Sequence, residues 1–510
     1  MSGTSTLRPG RRGPAFAAPA WFRPPATSRL PGWCAVAAIV AALLIMIASA
    51  LLRSSWMPPA LPMPRSGPPW ELASRVPDRT IVVALWAAGL LAGAGVATGL
   101  AAARRGLPIP VATLIGTAAV AVVALGLLPP VGSTDSLDYA IYGHIAALGH
   151  SPYVMTPAQY GHLIRDFAGV PRDWEHDPSV YGPLATAEQL AAARLGGASL
   201  AATAFWLRLA NAIALGAVAF AADRSQRAHP AGRARVHLLW TANPLVIWSA
   251  VAGGHIDLIA AAIGLAGLLI LERKVIASPL PNALAAGLCV GAAADLKADF
   301  ALYGLALAWC LRDRPGQLLA AAAGAAIVLI PSYALAGLAA VRALSARAYA
   351  GQGYGFYGFF FRRLGISVTD AVPLAVCLLI PVAWLALQRF PDGLRDRAVV
   401  RAAAALSLAW LLVWPHQFAW YSLAAFCVLA FYPGSRLDWL AVAWLTVMTI
   451  ADMPGTGTGQ GRTLGHALLA IQYVNLTRLA PLVMLAVLIA LLGGCLTRRW
   501  HGLHSGLAPA

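Results

Sequence analysis

Asp135 and Asp138 stand three residues apart in the stretch STDSLDYAIYGHIAALGHSPY, residues 133–153, directly after an apolar run that ends in Leu-Leu-Pro-Pro-Val-Gly. A carboxylate held rigidly at the end of such a run suits a general base acting on an acceptor hydroxyl while a lipid phosphate is supplied from the side. The alternative for Asp135 is a helix N-cap, a common post for Asp. Asp138 shares roughly its helical face and reads as a second acid of the site or a ligand to a sugar hydroxyl. Three more stretches place ionisable residues between apolar runs: GGHID (253–257), DLKAD (295–299) and WPHQFAWY (414–421). In the first, Gly253 and Gly254 permit a tight turn that turns His255 and Asp257 toward a cavity. In the second, Lys297 lies between Asp295 and Asp299, as an internally neutralised cluster or as a point charge for a phosphate oxygen. In the third, His416 among Trp414, Trp420 and Tyr421 suits a phosphate or sugar contact, or a satisfied interfacial histidine.

The elements that must position these groups are membrane helices. Of 510 residues 59% are hydrophobic and 11% charged, the mean hydropathy is +0.69, and apolar runs of about 20 residues recur. That excludes a soluble enzyme with one anchor. A net charge of +17 does not mark a nucleic-acid binder, because the arginines fall in short clusters between apolar runs and form no basic domain. Fourteen spans are predicted, near residues 33–53, 80–103, 109–128, 198–222, 235–251, 256–272, 281–295, 299–312, 316–338, 370–388, 398–414, 418–432, 437–452 and 477–497. The pairs meeting at GGHID, DLKAD and WPHQFAWY could each be one broken span. Lys and Arg gather in the connections of one face, so both termini are expected in the cytoplasm of a multi-pass plasma-membrane protein. The four polar stretches then share the extracytoplasmic face with three long loops, 129–197, 339–369 and 453–476. The first holds an amphipathic stretch near 136–149 expected along the interface, and the second carries GYGFYGFFF beside Arg362 and Arg363. Residues 1–32 read as a disordered basic tail, 33–497 as one polytopic domain and 498–510 as a second tail. Six cysteines lie within or at the ends of apolar segments, with no pairing or zinc pattern.

The spacing of Asp135, Tyr139, Gly143, Gly149 and Pro152-Tyr153, followed by Tyr181-Gly182-Pro183-Leu184, resembles the actinobacterial polyprenol-phosphate-mannose-dependent α-(1→6)-mannosyltransferases of the GT-C glycosyltransferase superfamily. GGHID is similar to that family's Gly-Gly-His-Asn-Asp turn, with Ile256 where the family has Asn, and Asn243-Pro244 also fits. The resemblance implies an all-α bundle of about 12–14 spans, a polyprenyl-phosphate sugar donor entering from lipid, and a glycolipid or glycan acceptor on the outer face. It implies Asp135 as base, Lys297 and His416 with Arg362 and Arg363 on phosphate, and Asp138, Tyr139, Tyr153, Tyr181, His255, Asp257 and Tyr421 as further substrate contacts. Direct attack inverts the sugar carbon. No cofactor, metal or nucleic acid is called for. Related arabinofuranosyltransferases share several of these motifs; a secondary transporter or flippase, expected to show symmetric halves, and a noncatalytic scaffold are the rivals from other classes.

Overall fold

The computed structural model describes residues 29–53, 67–73, 76–163, 174–349, 362–389, 398–432, 434–453 and 466–505. Within them the chain is an all-α polytopic membrane protein. Helix is what an apolar chain adopts in lipid, since each segment then satisfies its own backbone N–H and C=O groups. In chain order the helices begin with α1 (Leu30–Leu51), α2 (Asp78–Arg104), α3 (Val111–Leu127), α4 (Asp135–Ala147), α5 (Pro157–Leu163), α6 (Pro183–Gly196) and α7 (Leu200–Gln226). Next come α8 (Pro230–Val236), α9 (Pro244–Ile247), α10 (Asp257–Arg273), α11 (Pro279–Leu296), α12 (Ala301–Leu311), α13 (Pro315–Ala336) and α14 (Leu338–Tyr349). The last are α15 (Val368–Arg389), α16 (Ala398–Val413), α17 (Leu423–Leu429), α18 (Leu437–Asp452), α19 (His466–Val474) and α20 (Ala480–Ser505). Proline opens α6, α8, α9, α11 and α13, where its missing N–H would have had no helical partner.

All fourteen predicted segments are helical, but fewer span a bilayer alone. Seven helices are long and apolar enough: α1, α2, α7, α11, α13, the Asp370–Gln388 part of α15, and the stretch Ala467–Gly494. At GGHID the chain from Pro230 to Ala252 meets α10 at 112°, the geometry of a broken span or a re-entrant pair. Val111–Leu127, Ala298–Leu311, Ala398–Val413 and Ala419–Leu429 are shorter apolar helices. The N-terminal tail up to residue 28, the aromatic run 353–361 and residues 506–510 lie outside the described residues.

Close helix contacts rest on small residues, as expected where lipid gives no hydrophobic drive for association. A Cβ on Gly287 would lie 2.0 Å from the Ala321 carbonyl oxygen, and one on Gly291 would lie 2.7 Å from Ala325 Cα. Those glycines, one turn apart on α11, seat it on α13. At the end of α18 away from Asp452, Asp438 is fully buried and paired in a fork with Arg235 of α8, Nε to Oδ2 at 2.8 Å and Nη2 to Oδ1 at 2.6 Å. The same guanidinium donates to the carbonyls of Leu429 and Tyr432, and Arg104 adds a contact to Asp438 at 3.2 Å.

Candidate active site

The chain leaves α3 through Leu-Pro-Pro, docks Val131 N–H on the Ala252 carbonyl at 3.1 Å, and begins α4 at Asp135. The N-cap of α4 is Thr134, and the Asp135 N–H donates to Ser133 Oγ at 3.1 Å. Asp135 is thus a first-turn residue and not the cap. Its carboxylate is buried, 3.4 Å from the Tyr139 hydroxyl and 3.4 Å from His255 Nδ1. Tyr139 continues to the Tyr181 hydroxyl at 3.0 Å, the two rings edge to face. Burial by itself pushes the Asp135 carboxyl up, but the close approach of His255, the charge of Lys297 and the Ser133 contact outweigh it and hold the group below the usual carboxylate range. Both phenols are pushed well above their ordinary value, by burial first; the neighbouring phenol and then the Asp135 charge add to it for Tyr139, and the Asp135 charge for Tyr181. They therefore stay protonated, and Tyr139 can donate to an ionised Asp135.

α4 is buried on nearly every side from Asp135 to Ile145. This corrects the expectation of an interfacial amphipathic helix: α6 and α7 cover it. The Tyr-Gly-Pro-Leu motif has an explanation in the same contacts. A Cβ on Gly182 would lie 1.6 Å from the Asp295 carbonyl oxygen, Pro183 opens α6, and Leu184 N–H donates to Asp295 Oδ1 at 2.9 Å. Asp295 thus caps α6 from another helix and also accepts the Ser332 hydroxyl. It is not the partner of Lys297. Lys297 Nζ sits 2.6 Å from Asp257 Oδ1, 3.8 Å from Asp299 Oδ2 and 4.1 Å above the Tyr421 ring.

A cavity of about 540 Å³ joins these groups. Asp135, Asp138, Tyr139 and Tyr142 line it from α4, at the i, i+3, i+4, i+7 spacing of one helical face. Lys297, Asp299, Trp410, Trp414, His416, Phe418, Trp420 and Tyr421 line it as well, and Leu302, Leu305, Val341, Leu344 and Leu379 supply aliphatic surface. His255 lies behind the lining, stacked on Trp420 at 3.8 Å, which stacks on Phe418 at 4.4 Å. The four polar stretches therefore do converge.

Not every predicted contact reaches the cavity. His255 and Asp257 buttress Asp135 and Lys297 from behind. Tyr153 bonds the Thr186 hydroxyl at 2.7 Å and packs on Ala340 and Ala343, away from the lining. Arg363 is exposed and outside the lining, and the Arg362 side chain lies outside the described residues. Residues missed from the sequence include Tyr142, Trp174 and Asp177, where the Tyr142 hydroxyl donates to the Asp177 carbonyl at 3.0 Å. Asp452, buried at the end of α18 and within electrostatic range of Asp135, was also missed. So was Arg208, fully buried inside α7, although an arginine within an apolar helix is itself a signal.

The depressed Asp135 carboxyl fixes a pH dependence. Acting as a base, Asp135 would work ionised, so turnover would be present above its pKa and lost as pH falls through it. Measured kcat/KM should hold through pH 5, with an acid limb below about 4, the ordinary Asp value. An acid limb near pH 6 would remove Asp135 as the titrating base.

Comparison with known proteins places these motifs. A family model described as the α-(1→6)-mannopyranosyltransferase N-terminal domain matches residues 35–313. A probable α-(1→6)-mannopyranosyltransferase of Mycolicibacterium smegmatis is 33% identical over 168 residues, 32% of this chain and 30% of that protein. An α-(1→6)-mannopyranosyltransferase of Mycobacterium tuberculosis is 33% identical over 134 residues, 25% of this chain and 22% of that protein. The chain thus covers under a third of the length of either relative. Since the family match takes in more than half of the chain, from before Asp135 to beyond Lys297, the protein belongs to the α-(1→6)-mannopyranosyltransferase family.

Proposed function

We propose that the protein transfers a mannosyl residue from a polyprenyl-phosphate donor to a glycan or glycolipid acceptor at the outer face of the membrane. The observation that carries this reading is one cavity in which a buried carboxylate, a lysine and an aliphatic wall meet. Asp135 takes the proton of the acceptor hydroxyl as that oxygen attacks the sugar C1. The bond from C1 to the phosphate oxygen breaks on the opposite side, so configuration inverts and polyprenyl phosphate leaves as an anion. Lys297 and His416 meet the charge that develops there. Leu302, Leu305, Val341, Leu344 and Leu379 suit the prenyl chain. Two turns along α4 from Asp135, about 10 Å, Tyr142, Trp174 and Asp177 suit the acceptor sugar, an indole for its apolar face and a carboxylate for its hydroxyls. The excess of Lys and Arg on the other side of the membrane supports the outward orientation.

The test is to incubate membranes containing the protein with radiolabelled polyprenyl-phosphate-mannose and a lipid extract, and to identify the labelled product. Label moving to a glycolipid or glycan, with polyprenyl phosphate released, is expected; label remaining on the donor would overturn the reading. In the same assay Trp174→Ala should raise the acceptor KM about tenfold, the upper range for one lost aromatic contact. A raised donor KM instead would move Trp174 to the donor side.

A further inference from the structure

Arg208 is buried without exposure in the middle of the α7 sequence WLRLAN, and among the described residues no carboxylate forms an ion pair with it. Its guanidinium is committed to backbone. Nη1 donates to the Leu125 carbonyl at 2.9 Å, Nη2 to the Gly126 carbonyl at 3.3 Å and to that of Leu128, and Nε to its own helix at Ala204, 3.4 Å. Three of those oxygens belong to the last turn and exit of α3, where helical carbonyls lack partners and a cation is favoured. Seven residues after Leu128 the chain reaches Asp135.

The aliphatic stem of the same side chain meets the other half of the site. Gly254 has φ +70°, and a Cβ there would lie 2.8 Å from Arg208 Cγ, 3.3 Å from its Cδ and 3.0 Å from Ser136 Cβ. Gly254 precedes His255 and Ser136 follows Asp135. Gly254 is therefore wedged between the Arg208 stem and Ser136, so the immediate neighbours of both members of the 3.4 Å Asp135–His255 contact meet at a glycine that Arg208 crowds, while the Arg208 head fixes the stretch of chain that delivers Asp135. We infer that Arg208 is a positioning residue for the base: it holds the α3 exit and the GGHID turn in the register at which Asp135 faces the cavity with His255 behind it. The inference rests on Asp135 being the base of the proposed transfer. A guanidinium is needed because its planar fork can reach several carbonyls at once; an ammonium is a compact point charge.

The experiment compares the full-length protein with Arg208→Lys and Gly254→Ala, each reconstituted in lipid and supplied with polyprenyl-phosphate-mannose and acceptor. Arg208→Lys keeps the buried charge and most of the stem. Gly254→Ala leaves Arg208 intact but drives a methyl into it at a strained φ. Both should lower kcat by roughly 10- to 100-fold, the scale of a reacting group displaced by about 1 Å, with little change in donor KM. Both should also move the acid limb of kcat/KM to higher pH, because Asp135 loses alignment with His255 while Lys297, Tyr139, Tyr181 and Asp452 remain around it. An inserted Arg208→Lys protein with normal kcat and an unmoved limb overturns the inference. So does a parallel fall of yield, kcat and donor affinity with the limb unmoved, which would make Arg208 a stabilising residue only. Failure of the base assignment reads out separately, as turnover surviving in Asp135→Asn.

Discussion

Asp135→Asn should abolish sugar transfer, lowering kcat by at least about 100-fold, while expression, membrane insertion and donor binding persist. Asn keeps the size of the side chain and can still receive the Tyr139 hydroxyl, so packing at the start of α4 is preserved. What it loses is the ability to take a proton at neutral pH, and removal of a general base costs at least that factor. A merely structural role would cost far less. Thr134 is the N-cap, so the substitution removes no cap; it forfeits a negative charge in a first helical turn, about 0.3–1 kcal/mol of stability, together with the charged contact to His255. Asp138→Asn is the internal comparison, on the same cavity wall one turn away, and its loss should be milder. Full turnover in Asp135→Asn together with loss in Asp138→Asn would transfer the role of base to Asp138.

Lys297→Met is the second large effect. A charge-assisted contact to a phosphate oxygen contributes about 1.5–3 kcal/mol, so kcat/KM for the lipid-phosphate donor should fall roughly 10- to 100-fold. The same change strands Asp257, which is buried and 2.6 Å from the missing ammonium, and breaking a buried pair from one side costs about 3–5 kcal/mol. Folded yield should therefore drop too. Asp257→Asn combined with Lys297→Met separates the causes, since it removes both charges and the penalty with them. The double variant should recover yield but not transfer. Recovery of transfer along with yield would leave Lys297 a structural ion-pair partner and assign phosphate binding elsewhere, His416 being next.

Much of this arrangement was legible because charge is costly in lipid. Asp135, Lys297 and His416 stood out in the sequence for that reason alone, and all three line the cavity. Helix positions followed from apolar runs, which in a bilayer have one stable form. Pairing was not legible. Asp295, Lys297 and Asp299 look like one cluster when written in a row, but Lys297 takes an extended backbone, φ −150° and ψ 125°, as α11 ends. That turn sends Asp295 back to α6 and Lys297 across to Asp257. The Pro-Tyr pair at 152–153 looked like a sugar contact, yet Thr186, thirty-three residues on, takes the Tyr153 hydroxyl. α4 carries enough polar residues to suggest an interfacial helix, and only the fold reveals that its polar face lines a cavity and not headgroups. Trp174 and Asp177 had no local signal, being ordinary residues of a polar loop brought in by Tyr142.

The fork between Arg235 and Asp438 bears on how such chains can change over time. Arg235 lies within the stretch 35–313 shared with the family, while Asp438 lies outside it, and so does the aromatic wall from Trp410 to Tyr421. Residue 313 is therefore where the family match ends and not a seam of the molecule. A hybrid that joined this N-terminal part to a C-terminal part lacking an acid at 438 would leave the buried Arg235 guanidinium without its carboxylate and Asp135 facing half a cavity. Exchange at that junction therefore has to keep the acid at 438, although neither it nor Arg235 lines the cavity.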